Sequence, residues 1–361
     1  MSDYPFLKKA FLDTLENSAS VGPNTGWQPA HIEIGETPST GAFIPNYIKT
    51  HSWGEYVFDW AWADAYQRNG LDYYPKLVSA IPFSPATGPR VVFGSDAHAQ
   101  REQICKTLFQ QIQDLAETEN ASSWHLLFPD ADTLGWFKHP DLMLRTGVQY
   151  HWINRNYDSF ADFLSNFTSR KRKMVKRERR RISEQGIEIE ILEGRDINPT
   201  LWAFFYRLYQ STYLKRSGNE GYLTPQFFSQ LGENMPEHLS MAVASIGDEN
   251  IACALYLHDG ETLYGRYWGC TAEYDYLHFE LCYYQGIEYA IQKGLKRFDA
   301  GAQGEHKVLR GFEPVKTHSL HWIRHPGFAQ AIDDFLQRET VEINRHISQA
   351  QAVLPYKQIS D

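Results

Sequence analysis

The chain has 361 residues and a formal net charge of −9, from 35 lysines and arginines against 44 aspartates and glutamates. The charge is uneven, because residues 169–181 carry nine basic side chains and one acidic one, a local charge of +8 that leaves −17 on the rest. This distribution excludes the class of proteins that coat nucleic acids with a wholly basic surface. It leaves one cationic segment on an otherwise acidic chain.

Length and composition are typical of a globular protein. Hydrophobic residues make up 42% and charged residues 22%, and 361 residues favour two domains over one. The N-terminal residues include acidic side chains and no apolar run of signal-peptide length, and no window approaches the ~20 apolar residues of a membrane span. We therefore expect a cytoplasmic protein without a transmembrane segment.

The cysteines and histidines do not form a recognisable metal or redox motif. No C-x-x-C pair is present, so we expect reduced thiols, and H-E-x-x-H is also absent. His318 and His321 have strand or loop spacing. We therefore predict no metal site and no tightly bound cofactor. The four cysteines are Cys105, Cys253, Cys270 and Cys282.

Strand and helix signals alternate in the first half of the chain. A helix is expected at Arg101–Glu119, where apolar residues recur at spacings of three and four. A longer helix is expected after Ser159, which with Asp162 has the spacing of a capping box, and Gly186 is typical of its end. The strands are predicted at Gly41–Thr50, Asp72–Ile81, Val91–Phe93, Trp124–Phe128 and Val148–Ile153.

The second half repeats this alternation. Its strands are predicted at Ile187–Leu192, Met241–Ile246, Ile251–Leu257, Thr262–Trp268, Arg297–Ala300 and His318–Ile323. Its helices are predicted at Asn198–Leu214, Pro225–Leu231, Tyr276–Lys293 and Phe328–Ala350. The order of elements predicts an α/β fold with a mixed sheet in each half.

The basic stretch is amphipathic when residues 159–183 are placed on a helical wheel. Lys171 and Glu178 lie inside the apolar face, where they are either neutralised at the helix edge or directed to a buried anion or a cleft. The apolar face, expected to pack on a core, contains Phe160, Phe163, Leu164, Phe167, Met174, Val175 and Ile182. The outward cations are Arg170, Arg172, Lys173, Lys176, Arg177, Arg179, Arg180 and Arg181.

Eight outward cations repel one another at i,i+4 spacing, and this favours contact with a polyanion over a merely solvated face. The possible polyanions are a phosphate-bearing donor, an RNA stem and an anionic lipid surface. DNA binding of the leucine-zipper type is not expected, because no heptad run follows Gly186. We assign Lys171, Arg172 and Lys176 to this contact.

The strand LYGRYWG, the loop after it and the next helix form a second candidate region. Glu280 falls in the middle of the apolar side of that helix, where desolvation would raise its pKa towards the range of a general base. The alternative is a structural ion pair, for example with Arg266. A strand–loop–helix junction presents backbone N–H groups to an anion, and Tyr264, Arg266 and Trp268 are assigned to substrate or donor binding here.

The third candidate region is the strand end RFDAGAQGEHKVLRGF. Dense polar residues and glycines after a strand are typical of a ligand-binding loop. Glu305 or His306 is a candidate base for an amine, and Lys307 with Arg310 is a candidate pair for a phosphate or carboxylate. Gln303 is assigned to the same loop. The P-loop, G-x-S-x-G and G-x-G-x-x-G motifs are absent from the chain.

Three long stretches resemble the FemAB-like family of bacterial proteins. The basic helix resembles the connection between the two halves of those proteins, and the other two stretches resemble parts of the first and second half. The stretches are SRKRKMVKRERRRISEQGIEIE, HSWGEYVFDWAWADAYQRNGLDYYPKLVSAIPFSP and LYGRYWGCTAEYDYLHFELCYYQGIEYAIQKGLKRFDAGAQGEHKVLRGFEP. The resemblance spans residues 44–355.

The resemblance implies two fused GNAT-type acyltransferase domains. It places the first in residues 1–158 and the second in residues 187–361, with residues 159–186 as the connecting helix. The donor is then aminoacyl-tRNA or acyl-CoA as a co-substrate, and the acceptor is an amine that belongs to a peptidoglycan-related precursor. The chain lacks a coiled-coil arm that some members carry and the pyrophosphate loop usual in GNAT proteins.

Together these features predict an N-acyltransferase. An amine attacks a thioester or aminoacyl ester in the second half, and Glu280, Glu305 or His306 removes the proton. The alternative is a non-catalytic module that binds an anionic cell-envelope precursor or RNA. The expected partners are a small-molecule or peptide amine acceptor and acyl-CoA or tRNA, with peripheral membrane contact possible and DNA excluded.

Overall fold

The computed structural model describes residues 3–357 except Glu36, Pro38 and Gln303. The chain forms two compact units. Unit 1 takes its described residues from 1–12, 19–148 and 316–345, and unit 2 from 13–18, 149–315 and 346–361. These limits differ from the predicted domain boundaries, because residues 149–186 belong to unit 2 and the chain returns to unit 1 near its end. The division into two transferase domains stays a prediction.

The helices and strands follow one another in the predicted alternating order. The helices are α1 (Lys9–Asn17), α2 (Trp60–Arg68), α3 (Arg101–Thr118), α4 (Ala131–Trp136), α5 (Phe160–Ser165), α6 (Ser169–Glu184), α7 (Pro199–Ser217), α8 (Pro225–Asn234), α9 (Leu277–Phe279), α10 (Gln285–Gln292) and α11 (Pro326–Ala352). The strands are β1 (Trp27–Pro29), β2 (Ile32–Ile34), β3 (Ala42–Ile44), β4 (Tyr47–Lys49), β5 (Lys76–Ser79), β6 (Val92–Phe93), β7 (Ser123–Leu127), β8 (Met143–Ile153), β9 (Glu188–Glu193), β10 (Leu239–Ile246), β11 (Glu249–His258), β12 (Thr262–Cys270), β13 (Arg297–Asp299) and β14 (Glu313–Ile323).

Unit 1 contains a mixed sheet in the order β1-β4-β5-β7-β14 and a small sheet in the order β2-β3-β6. β5 and β7 are parallel, whereas β4 pairs with both β1 and β5 in antiparallel fashion. Ile104, Leu108 and Ile112 of α3 are buried in one cluster with Trp124 and Leu126 of β7. The spacing that predicted α3 is therefore the spacing of its core face.

Unit 2 contains a mixed sheet in the order β8-β13-β12-β11-β10-β9. β9 to β12 are antiparallel neighbours, and β12 is parallel to β13. The connection from β12 to β13 passes through α9 and α10, as a parallel pair requires. Gly286 of α10 allows this helix to pack closely, since a Cβ there would lie 2.4 Å from the ring of Phe298. The α/β class with mixed sheets is thus confirmed.

The predicted long basic helix is broken, and in this respect the prediction was wrong. α5 ends at Ser165 and α6 begins at Ser169. The backbone between them bonds to the C-terminal segment: Thr168 N donates to the carbonyl of Pro355, and Lys357 N donates to that of Asn166. The predicted apolar face is nevertheless correct. Its buried members are Phe160, Phe163, Leu164, Phe167, Val175 and Ile182, and Met174 is partly buried.

Other features of the described residues concern membranes, metals and thiols. No helix among them is both long and apolar enough to cross a bilayer. They contain no group of three or more His, Cys, Asp or Glu side chains placed to hold a metal ion. The four cysteines are free thiols, and burial raises the pKa of Cys105 and Cys253 to about 12.

Candidate active site

A gap opens in unit 2 where the parallel strands β12 and β13 stop pairing. Their register runs from Thr262 opposite Arg297 to Tyr264 opposite Asp299. β13 then ends, whereas β12 continues to Cys270 with β11 as its sheet neighbour. In α/β proteins, ligands bind outside the carboxyl ends of such strands.

A β-bulge modifies β12 at the start of this gap. Leu255 of β11 lies opposite Tyr267, and Tyr256 lies opposite Gly265, so that Arg266 is the extra residue. A bulge leaves backbone groups of the extra residue outside the ladder and re-aims side chains, and bulges are common next to active sites. The stretch Tyr264–Trp268, assigned to substrate from the sequence, therefore has an irregular backbone at the gap.

Asp299 is a buried carboxylate at the end of β13. Its Oδ2 accepts from Nη2 of Arg266 at 2.9 Å, and its Oδ1 accepts from the backbone N–H of Gly301 at 2.9 Å. Burial alone would raise the pKa of Asp299, but Arg266 holds it well below its usual value. His151 Nε2 lies 3.7 Å from Oδ1, and burial lowers the pKa of His151 to about 4, so its ring is neutral.

Lys307 places an ammonium group on the same loop. Its side chain is buried, and Nζ donates to the carbonyl of Gly301 at 2.6 Å. Burial lowers the pKa of Lys307 to about 8, while the nearby Asp299 partly opposes this. A lysine in this range is mostly protonated at neutral pH, yet it can lose its proton in a reaction. Lys307 is therefore suited to both charge stabilisation and proton transfer.

Tyr283 lies between Lys307 and His306. Nζ of Lys307 is 5.9 Å from the centre of the Tyr283 ring, and the Tyr283 hydroxyl is 2.7 Å from Nε2 of His306. Partial desolvation, and then the charges of Arg310 and Lys307, lower the pKa of His306, which keeps the exposed imidazole neutral at pH 7. We call Arg266, Tyr283, Asp299, His306 and Lys307 the strand-end cluster.

Trp268 and His278 lie beside the strand-end cluster. The ring of Trp268 is 4.7 Å from that of His278, which in turn is 5.3 Å from the ring of Tyr283. Trp268 Nε1 is buried without a hydrogen-bond partner in the described structure. Burial lowers the pKa of His278 to about 3, so this ring is also neutral.

One π-helical turn, Glu280–Tyr284, joins α9 to α10 and positions Tyr283. The hydroxyl of Tyr256 donates to the carbonyl of Leu281 in this turn, which gives a carbonyl of the widened turn a buried partner. π turns inside helices occur frequently at functional sites. The sequence pattern predicted a helix here but not its widened turn.

Glu280 is buried as predicted, but its partner is Arg179 and not Arg266. Nε of Arg179 lies 3.0 and 3.2 Å from the two carboxylate oxygens, and Gln285 donates a further bond at 2.9 Å. Burial raises the pKa of Glu280, whereas Arg179 opposes the shift. Arg179 also bonds Glu288 at 2.8 Å, so its assignment to the outward cationic face was wrong.

Glu280 lines a separate cleft beside α6, with a volume of about 570 Å³. Its floor is apolar and its rim charged, with Lys176 on the rim. The lining residues are Phe160, Ala161, Leu164, Lys176, Arg179, Arg180, Ile182, Ser183, Ile187, Ile189, Glu280, Gln285 and Glu288. Since none of these belongs to the strand-end cluster, the structure does not group Glu280 with His306.

Arg310 is buried against Glu178 rather than open to a phosphate. Its Nη2 and Nε lie 2.8 and 3.2 Å from the two carboxylate oxygens of Glu178, and the Tyr284 hydroxyl bonds the same carboxylate. Nη1 donates to the carbonyl of His306 at 2.9 Å. Glu178 thus points inward as predicted, and the Arg310 guanidinium supports the turn that carries His306 and Lys307.

The remaining predicted residues are scattered. Glu305 is 78% exposed and lies 3.9 Å from His346. The hydroxyl of buried Tyr264 donates to Asp259 at 2.8 Å. Gln303 lies outside the described residues. Lys171 and Arg172 are partly exposed, and Lys176 is exposed.

Six α6 cations have no ion-pair partner in the part of the chain that the structure describes. Arg180 and Arg181 instead pair with Glu184. The six are Arg170, Lys171, Arg172, Lys173, Lys176 and Arg177.

Sequence reasoning missed Asp299, Tyr283 and His151 as site residues. Asp299 follows an apolar strand residue and precedes Ala-Gly, which is a signal for a strand-end carboxylate. Tyr283 looked like an ordinary core aromatic, and His151 lies inside a strand, so neither had a local signal. The grouping of Asp299 with His151 depends on the pairing of β13 with β8, in which these two residues lie opposite each other.

A family model described as peptidoglycan biosynthesis/recognition, FemAB-like, matches residues 1–358. The chain belongs to the FemAB-like family. The resemblance inferred from the sequence is thereby confirmed, and membership supports a transferase. A comparison with curated protein sequences found no match.

Several solved structures are similar to this FemAB-like chain at low sequence identity. L-PGS from Bacillus licheniformis is 10% identical, with a TM-score of 0.52 over 90% of this chain and 95% of that chain. The C-terminal domain of an Agrobacterium fabrum protein described as a lysylphosphatidylglycerol synthetase is 11% identical, with a TM-score of 0.52 over 93% and 97%. FemX is 13% identical, with a TM-score of 0.49 over 90% and 93%.

Proposed function

We propose that this FemAB-like protein is an N-acyltransferase or N-aminoacyltransferase whose reaction centre is the strand-end cluster of unit 2. The observation that carries the proposal is Lys307, a buried ammonium group at the end of two separating parallel strands. A buried cation held by a neutral carbonyl is costly, and such groups are concentrated at functional sites. Family membership supports a transferase but does not define the group transferred.

The reaction needs a proton acceptor, an oxyanion contact and a proton donor. An amine attacks the acyl carbonyl carbon, a C–N bond forms, and the C–S or C–O bond to the donor breaks. Neutral His306 takes the amine proton, with its ring oriented by Tyr283. Lys307, protonated at pH 7, stabilises the oxyanion and gives a proton to the leaving thiolate or alkoxide. Backbone N–H groups at the Arg266 bulge supply a second contact to the carbonyl oxygen.

Asp299 and Arg266 hold the loop that carries this chemistry. Asp299 accepts from the N–H of Gly301, and the carbonyl of Gly301 accepts from Lys307. A shift of the carboxylate would therefore move the ammonium group. Asp299 is buried and paired with Arg266, so we assign it a positioning role rather than proton transfer.

The donor is a phosphate-bearing thioester or ester, either acyl-CoA or aminoacyl-tRNA. The six cations of α6 without ion-pair partners support this class, since closely spaced cations gain most from a polyanion. Lys171, Arg172 and Lys176 are the proposed donor contacts. The acceptor is an amine of a peptidoglycan-related precursor, and this part of the proposal rests on the family description.

Incubation with candidate donors tests the proposal. Purified protein is mixed with a donor, which is acetyl-CoA, a longer acyl-CoA or charged tRNA, and with amine-bearing peptidoglycan precursors as acceptors. The mass of the acceptor is then measured by mass spectrometry. We expect an acceptor mass increased by one acyl or aminoacyl group with one donor class. A folded protein that yields no adduct with any donor would contradict the proposal.

A second candidate function is a non-catalytic module that binds an anionic envelope precursor or RNA. The observation that favours it is the same set of α6 cations. A binder would retain RNA or lipid with a steep salt dependence and form no product. An enzyme would also be stabilised by its donor and would turn it over. Product formation in the donor screen therefore decides between the two.

A further inference from the structure

Residues 51–63 of unit 1 have an inverted arrangement of polar and apolar side chains. Their two carboxylates, Glu55 and Asp59, are buried, at 3% exposure each. Their largest apolar side chains face solvent instead: Trp53 is 53% exposed, Phe58 60% and Trp60 40%. Burying charge and exposing aromatics both oppose folding stability, so stability alone does not account for this segment.

Two buried lysines hold the carboxylates inward. Nζ of Lys76 donates to Glu55 Oε2 at 2.8 Å and also bonds Asp59, while Lys49 lies 3.9 Å from Glu55 Oε1. Lys76 also bonds the hydroxyl of Ser52 at 2.9 Å. This network holds the polar side of the segment in the interior of the unit. The aromatic side chains on its other side are therefore left at the surface.

Two backbone carbonyls of the aromatic residues also have partners within the unit. The carbonyl of Trp53 accepts from Nε1 of Trp27 at 3.0 Å and from Lys49 at 3.3 Å. The carbonyl of Phe58 accepts from Nη1 of Arg145 at 2.8 Å. These two carbonyls can therefore enter an apolar medium without losing hydrogen bonds to water.

No charged side chain of residues 51–63, all of which the structure describes, is exposed. Besides the buried carboxylates, the only basic side chain of these residues is that of His51, whose pKa is lowered by burial and then by Lys49. The exposed or half-exposed residues are His51, Trp53, Gly54, Tyr56, Val57, Phe58, Trp60, Ala61 and Ala63. These residues therefore form an uncharged surface rich in aromatic groups, and the next charged side chains on α2, Asp64 and Arg68, neutralise each other in an ion pair at 2.6 Å.

We propose that this surface, Trp53, Phe58 and Trp60, docks onto the interface of a lipid bilayer. Tryptophan and phenylalanine partition into that interface, and a neutral surface pays no desolvation cost for charge there. A glycan fits less well: sugar hydroxyls need carboxylate or amide partners, and here both carboxylates face inward. The rings of Trp53 and Trp60 also meet at 60° and form no flat platform.

Vesicle sedimentation tests the docking surface separately from transfer activity. Vesicles of phosphatidylcholine alone are used, because a neutral membrane gives the α6 cations no electrostatic attraction. We expect the full chain to sediment with the vesicles and W53S/F58S/W60S to bind at least about tenfold more weakly. The control L71S/L214S/V341S removes three other exposed apolar side chains, at 41, 47 and 65%, and should bind like the wild type.

Brominated lipids provide a second readout in the same vesicles. Wild-type tryptophan fluorescence should be quenched on binding, whereas W53F/W60F should still sediment but show less quenching. The proposal is overturned if the wild type does not sediment, or if the serine variant, shown by circular dichroism to be folded, sediments equally well. It is also overturned if the surface of Trp53, Phe58 and Trp60 binds the protein to insoluble peptidoglycan and not to vesicles.

Discussion

At the scale of single residues, neighbours in sequence have different roles because their charges meet different partners. Lys307 and Arg310 lie three positions apart on one turn, and both looked like anion ligands. Arg310 is neutralised by Glu178, whereas Lys307 bonds a backbone carbonyl. The sequence identifies both cations but does not show which group each one bonds, because Glu178 lies 132 residues from Arg310.

The pKa of Lys307 predicts a pH limit for transfer. Because its pKa is lowered to about 8, the ammonium form is lost as pH rises through 8, and kcat/KM should fall over that range. Arginine stays protonated, so K307R should be slower at pH 7 but should lack this descending limb. The titration of the acceptor amine affects both enzymes equally, so it cancels in the ratio of the wild-type rate to the K307R rate. A ratio that is constant from pH 7 to 9 would contradict the assignment.

Substitutions at His306 and Glu305 distinguish two of the candidates for the base that were predicted from the sequence. H306A should lose about 10²–10⁴-fold in kcat and the acidic limb of the pH profile, because the proton acceptor is gone. E305Q should keep near wild-type rates, since this carboxylate is exposed and lies outside the strand-end cluster. Steady-state rates with a competent donor measure both. The reverse order of effects would move the base to Glu305.

At the scale of elements, periodicity predicts most helices and strands, because apolar spacing reports local burial. α3, α7 and β10 to β12 follow their predicted ranges closely. The break between α5 and α6 could not be predicted, since it is stabilised by Pro355 and Lys357 far along the chain. For the same reason Arg179 looked outward on the wheel although Glu280 and Glu288 bind it.

The pair Glu178 and Arg310 joins α6 to the turn of Lys307, and its removal should show strong coupling. R310M leaves a buried carboxylate without its cation and should cost about 3–5 kcal/mol of unfolding free energy. E178L/R310M removes both charges and should cost less than the sum of the single variants. Urea unfolding of the four proteins measures the coupling. Additive losses would show that the two side chains do not depend on each other.

At the scale of the whole chain, the compact units are built from distant segments, which local signals do not reveal. The predicted boundaries near residues 158 and 186 divide the chain into two continuous halves joined by a helix. In the structure, residues 149–186 and the described residues of 346–361 belong to unit 2. The grouping of Asp299, His151 and Lys307 is likewise a product of strand pairing between distant stretches.

Fragments test this organisation. A fragment of residues 187–361 lacks Phe160, Phe163, Phe167 and Val175, which are buried in the core of unit 2, so we expect no cooperative thermal transition. A fragment of residues 149–361 restores these side chains and should regain one. Circular dichroism against temperature compares the two. Equal, cooperative unfolding of both would show that residues 149–186 are dispensable for unit 2.

Single-turnover transfer by a Lys307 variant tests the central claim most directly. K307M and the control K293M, which changes an exposed lysine, are mixed with the donor that supports transfer by the wild type, and product is followed by mass spectrometry. We expect K293M to match the wild type and folded K307M to lose about 10²-fold or more in the rate of transfer. A K307M enzyme that transfers at the wild-type rate would contradict the proposed reaction centre.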